Sequence, residues 1–224
     1  MQTSTEARWF FNDRREIKQI EEWFAAQGLV LQDGEFERQD YYMKLPGISN
    51  LGLKIREPRK TNEGWQGKLE AKVLLREIDS PELDGANTGK ANQWTKFSFA
   101  LPAGESTLTE ILDGYGVANN PVNGLDFNHW TRVDKTRILL TYNLDKREIV
   151  QSGPLINEGC GIELTAIKLD NDVYYSFALE SFSGTGKQEQ NFIETIHFIF
   201  KQLKTSGLRK ENSFTYPEFL LTKS

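Results

Sequence analysis

The chain has 224 residues, 38% hydrophobic and 26% charged, the composition of a water-soluble globular protein with enough apolar material for a real core. A formal charge of −5 argues against a broad nucleic-acid surface and leaves room for a local basic pocket. One cysteine, Cys160, permits no intramolecular disulfide, no apolar stretch approaches the ~18 residues of a membrane span, and no secretory leader is read at the N-terminus, so a cytoplasmic protein without a membrane partner is expected.

In chain order, a strand is expected over 3–11. A helix over 13–27 follows, with Ile17, Ile20 and Phe24 at helical spacing, Asp13 and Glu16 as a capping box and Gly28 as its stop. Strands are expected over 39–45, 50–57, 66–77 and 93–101, separated by clusters such as EPRKTNEGW and IDSPELDGANTG. A short helix is read around 106–114, then irregular Asn- and Gly-rich chain over 114–130. Strands over 132–142, 159–169 and 172–182 follow, with 147–152 a further candidate. A helix over 187–204 places Phe192, Ile196, Ile199 and Leu203 on one stripe. No repeat or linker interrupts this order. About eight strands and two long helices predict one α+β domain over 1–224.

Side chains of a strand alternate between its two faces, and here one face is repeatedly charged. In STEARWFF, Ser4, Glu6 and Arg8 oppose Thr5, Ala7, Trp9 and Phe11, and Phe10 falls on the charged parity at the strand's end. Lys54 and Arg56 share a face in LGLKIRE, as do Lys68, Glu70 and Lys72 in GKLEAKVLL. Lys96 and Ser98 oppose Phe97 and Phe99, Lys135 and Arg137 share a face, and Glu163 and Glu180 lie on the polar faces of two late strands. A wet outer face of an antiparallel sheet is the ordinary reading of any one of these strands. The set as a whole is richer in paired acids and bases than such faces usually are. Arg8, Lys54, Arg56, Lys72, Lys96, Lys135 and Arg137 are seven bases against the four acids Glu6, Glu70, Glu163 and Glu180, in a chain of negative net charge.

A closed barrel would bring these faces into one lumen, with Phe10 capping its end and the helices covering the outside. Such a cluster is costly unless an anion fills it. Phosphate oxygens suit it, because Arg binds them by paired hydrogen bonds and Lys as a point charge. The carboxylates would hold Mg²⁺ or Mn²⁺, hard cations that prefer oxygen. Competing chemistry is thin. SFSGTGK lacks the spacing of a phosphate-cradling loop and there is no zinc pattern. His129, His197 and Cys160 read as structural, and Trp9, Phe97, Phe99 and Phe177 fall on faces assigned to core, not to base stacking.

With those residues assembled, the chain resembles the CYTH superfamily, the triphosphate tunnel metalloenzymes. STEAR stands where that family has its N-terminal ExExK strand, with Glu6 and Arg8 matching the second acid and the base. DYYMKLPGISNLGLKIRE resembles its tyrosine-containing strand followed by a basic strand, LEAK its internal ExK, DKTR its later basic strand and FALES its terminal acidic strand. The resemblance covers roughly residues 3–183. It implies an eight-stranded antiparallel tunnel over that span, with a C-terminal helix and tail over 184–224. It further implies Glu6, Glu70 and Glu180 in catalysis, Glu6, Glu163 and Glu180 on the metal, and the seven bases on the phosphates of a small-molecule polyphosphate or nucleotide. Two positions depart from the pattern: Ser4 replaces the first Glu and Ala178 replaces an acid of the terminal strand. The readings are therefore a triphosphate-binding protein that hydrolyses its ligand, a phosphate- or nucleotide-sensing module without chemistry, and a barrel for another acidic small molecule.

Overall fold

Nine strands carry the architecture in a computed structural model that describes residues 2–32, 34–78, 87–104, 130–151, 156–203, 205 and 207–223. They are β1 (Gln2–Phe11), β2 (Arg38–Met43), β3 (Leu51–Thr61), β4 (Gly64–Ile78), β5 (Ala91–Leu101), β6 (Trp130–Asn143), β7 (Glu148–Gln151), β8 (Glu158–Leu169) and β9 (Asp172–Ser183). All pairings are antiparallel, in the order β2-β3-β4-β5-β1-β9-β8-β6, and β6 pairs back onto β2. Eight strands therefore close into a barrel, and the short β7 extends β6 outside the ring as a hairpin arm. Closure removes free sheet edges from those eight strands.

Among the described residues three α-helices accompany the barrel: α1 (Lys18–Ala26), α2 (Gln188–Gln202) and α3 (Tyr216–Thr222). The Asp13 and Glu16 capping box is present, but it opens a 3-10 turn over Arg14–Ile17, so the α-helix starts later than its periodicity suggests. Gly28 ends this unit at φ 82°, a conformation that suits glycine. The outward parity of β1 is buried as predicted. Trp9 and Phe11 join Ile20, Phe24, Phe177, Phe192 and Ile199 in the main core under α1 and α2. The Trp9 ring stacks on Phe177 at 6.0 Å and meets Phe200 edge-on at 6.2 Å. Each such large side chain, fully buried, contributes about 1.5–3 kcal/mol of transfer free energy.

Three features differ from the sequence reading. EPRKTNEGW does not separate strands along its length: β3 runs on to Thr61 and turns directly into β4 at Gly64. The register slips between Arg56 and Arg59, with Glu57 at φ 44° and Pro58 within the slip, which is how an extended strand admits a proline. Phe97 and Phe99 are not core: on the outer face of β5 they are 37% and 55% exposed, beside Val73 and Leu75 of β4 at 38% and 54%. The helix read around 106–114 lies outside the described residues.

The third difference is α3, for which a helix was not anticipated. TYPE supplies its start: Thr215 and Glu218 form a capping box, with proline in the first turn. This helix closes one end of the barrel. There the inward-facing side chains turn apolar (Phe10, Tyr42, Val133, Ile167, Leu169), and Phe219 and Leu220 pack among them. Phe219 stacks on Phe10 with centroids 3.9 Å apart, so Phe10 does cap the lumen, with a partner from the chain's other end. Pro217 approaches β3 so closely that its Cγ would lie 3.4 Å from a Cβ at Gly52, a position where a larger side chain would push against the helix. Among the described residues, no helix is long and apolar enough to cross a membrane.

Candidate functional site: a charged lumen

The inward parity of seven strands places all eleven predicted site residues around one cavity of about 150 Å³. β1 contributes Glu6 and Arg8; β3, Lys54 and Arg56; β4, Glu70 and Lys72; β5, Lys96. β6 contributes Lys135 and Arg137, β8 contributes Glu163, and β9 contributes Glu180. Two charged residues of β2, Arg38 and Asp40, belong to the same set and were missed. Their signal was present, since Arg38, Asp40 and Tyr42 alternate along the strand as the other lumen residues do. Tyr216 at the start of α3 also lines the cavity, over the lysine it helps to bury.

Next to α3 the network centres on Asp40, whose side chain has no exposure. Arg38 grips it with two hydrogen bonds, 3.0 and 2.9 Å, and the ammonium groups of Lys135 and Lys54 stand at 3.5 and 3.7 Å. Burial alone would raise the Asp40 carboxyl, but Lys54, Lys135 and Arg38 outweigh it and hold it far below the usual carboxylate range. Lys54 also reaches Glu70 at 3.1 Å, and Arg56 reaches the same carboxylate at 3.2 Å. Lys135 donates to the Tyr42 hydroxyl at 2.6 Å and lies 4.0 Å from the centroid of the Tyr216 ring. Burial pushes its ammonium pKa well down, Asp40 opposes this, and the positive charges of Lys54, Arg38 and Arg8 add to it.

Further along the lumen, Arg8 bridges two carboxylates, Glu6 at 3.0 Å and Glu163 at 2.9 Å, and donates to Ser176 at 3.1 Å. Arg137 takes the other Glu163 oxygen at 3.2 Å. Burial would raise the Glu163 carboxyl; Arg8 and Arg137 reverse that and hold it far below its ordinary value. Glu6 and Glu180 face each other directly across β1 and β9, a repulsive placement that Lys72 relieves by bonding both, at 2.8 and 2.9 Å. Glu180 is lowered to about 2: burial acts upward, while Lys72, Lys96 and the Ser4 hydroxyl at 3.0 Å act downward. Its side chain is 41% exposed, so water screens part of these interactions. Lys96 lies directly opposite Lys72, and among the described residues it has no ion-pair partner.

Among the described residues, no three His, Cys, Asp or Glu side chains form a group able to hold a metal. Both oxygens of Glu6 and of Glu163 and one of Glu180 are directed at Arg8, Lys72, Arg137 and Ser4, so a metal held by all three would have to displace cations already in place. As arranged, the carboxylates do not fit a bound Mg²⁺ or Mn²⁺.

No protein-family model and no curated protein matches the chain. Among solved structures, it is similar to a proposed adenylate cyclase from Bacillus halodurans, at 14% identity over 91% of each chain and with a TM-score of 0.41. So slight a likeness leaves the function to the chemistry of the lumen.

Proposed function

We propose that this protein binds a small phosphate-rich anion, a triphosphate-containing molecule or a polyphosphate, inside its barrel in the manner of a CYTH-type tunnel. The observation that carries the reading is the charge of the lumen. Eight bases and five acids surround it in a chain whose net charge is −5. That excess sits where water is scarce, and two of the bases, Lys72 and Lys96, stand directly opposite one another on paired strands. Like charges so placed are destabilising unless something negative comes between them. Phosphate oxygens accept several charge-assisted hydrogen bonds at once, which suits Lys96, Arg137 and Arg8 around one group.

Binding without turnover is the form of this reading that the residues favour. Each acid read as catalytic is already held by a cation: Glu6 by Arg8 and Lys72, Glu70 by Lys54 and Arg56, Glu180 by Lys72. A carboxylate whose oxygens already accept from cations is poorly placed to take a proton from water or to hold a metal. The test is thermal stabilisation by tripolyphosphate, ATP and pyrophosphate, each with and without Mg²⁺ or Mn²⁺, with released phosphate assayed in the same wells. Stabilisation without phosphate release is expected. Metal-dependent release abolished by Glu6→Gln would replace it with the hydrolase reading, and no stabilisation by any phosphate would leave a barrel for another acidic molecule.

A further inference from the structure

A second cavity, of about 240 Å³, opens beyond the charged ring on the side away from α3. The two cavities share the ring of Arg8, Lys96, Arg137, Glu163 and Glu180. Past that ring the lining changes character. Ser4, Leu139, Thr141, Gly161, Ala178 and Phe182 bring no ionisable group, and Gln2 adds an amide. The positions where this sequence departs from the charged pattern, Ser4 and Ala178, thus face one space together and leave it neutral and wide.

We propose that the ligand is an organic phosphate, with its phosphate held between Lys96 and Arg137 and an uncharged, ring-sized group seated in this second cavity; the inference rests on the anion-binding reading of the lumen. Size and chemistry both support it. An apolar cavity of about 150 Å³ accepts a benzene ring, so 240 Å³ is ample for a sugar or a small aromatic group. Leu139, Ala178 and Phe182 offer apolar surface, while Ser4, Thr141 and Gln2 offer hydroxyls and an amide, the mixture that binds a partly polar ring. An inorganic polyphosphate extended the same way would press charged oxygens against Leu139 and Phe182, with only the uncharged Ser4, Thr141 and Gln2 past the ring to donate to them. That desolvation is unfavourable. Lys96 suits the anchoring role because no carboxylate occupies it among the described residues, and Arg137 uses a single nitrogen on Glu163.

The test compares inorganic phosphate and pyrophosphate with ribose 5-phosphate and phenyl phosphate by calorimetry on the full chain. At least one ester is expected to bind roughly tenfold or more tightly than inorganic phosphate. Gly161→Ile should fill the cavity: a Cβ at Gly161 meets only ordinary contacts, 3.6 Å from the Glu180 carbonyl and 3.7 Å from Leu139. That variant should erase the ester's advantage and leave inorganic phosphate within about twofold, and Leu139→Trp, from a half-buried position, should do the same if Gly161→Ile folds poorly. Equal binding of esters and inorganic anions, or an ester preference untouched by both variants, overturns this inference while the anion-binding reading stands. Absence of binding by every phosphate overturns both.

Discussion

The Ser4 hydroxyl donates to Glu180 across the seam between β1 and β9, at 3.0 Å, beside the Lys72 ammonium that bridges Glu180 and Glu6. A serine there supplies a hydrogen bond and no charge, so Lys72 remains the counter-ion of the pair. Ser4→Glu would put a third carboxylate into the group. At neutral pH without metal it should lower stability by about 1 kcal/mol, a fall of about 2–4 °C in Tm for a chain of this size. Millimolar Mn²⁺ should restore that loss in the variant and leave the parent unchanged. A variant with no response to Mn²⁺ would show that the serine is not what limits metal binding.

Lys96 and Lys72 are neighbours of the same charge with opposite roles. Lys72→Gln leaves Glu6 and Glu180 facing each other unbridged, and should cost about 1–3 kcal/mol by urea denaturation. Lys96→Gln breaks no ion pair among the described residues and removes both the repulsion from Lys72 and the attraction to Glu180, so the urea midpoint should stay nearly level. Tripolyphosphate affinity should nevertheless fall about tenfold in Lys96→Gln, the loss of one charge-assisted contact.

The barrel was legible because its signal repeats. Nine strands lie within a few residues of their expected places, and the alternation in STEARWFF, LGLKIRE and GKLEAKVLL puts their lumen side chains on one parity, with Lys68 of that parity exposed beyond the cavity. Parity cannot say what covers the other face. Trp9 and Phe99 look alike in sequence, yet Trp9 lies under α2 with no exposure and Phe99 is 55% exposed, because α2 packs chiefly against β1, β8 and β9. Nor can parity show that an acid is already paired. Glu6 and Glu163, read as metal ligands, are both bonded by Arg8, two residues along from Glu6. Asp40 is harder to see, because adjacent Tyr41 and Tyr42 blur the alternation of Arg38, Asp40 and Tyr42.

The buried carboxylates predict how stability depends on pH. Asp40, Glu70, Glu163 and Glu180 all have folded pKa values below their unfolded ones. Their contribution is complete above the unfolded value, about 4, and is lost as pH falls through that value toward the lower folded ones. The urea midpoint should therefore hold between pH 7 and 5 and drop steeply below about pH 4. Asp40→Asn should destabilise by about 3–5 kcal/mol at pH 7, since it leaves Arg38 and Lys135 without a buried counter-charge and Lys54 with Glu70 alone, and should flatten the acid slope.

The end of the barrel closed by α3 offers a separate test. A seven-residue helix is unstable alone, so its place depends on Phe219 against Phe10 and on Tyr216 against Tyr42, stacked at 3.9 and 4.9 Å. Phe219→Ala removes the larger anchor, and a buried Phe→Ala change costs about 3–5 kcal/mol where the site cannot collapse. Here the helix can undock instead, so global stability should fall by less than that range while the tail opens locally. The reporter is Lys135. Its side chain is 7% exposed, shut between Tyr42 and Tyr216, so a reagent reaches its amine only once α3 has moved away. Labelling with an acylating reagent, read by peptide mass spectrometry, should be at least about tenfold faster at Lys135 in Phe219→Ala than in the parent, with Lys18 on exposed α1 as the internal standard. Equal rates in the two proteins would mean that α3 already leaves its seat, or that the lumen is reached from the other end, and tripolyphosphate protection of Lys135 would then distinguish these two routes.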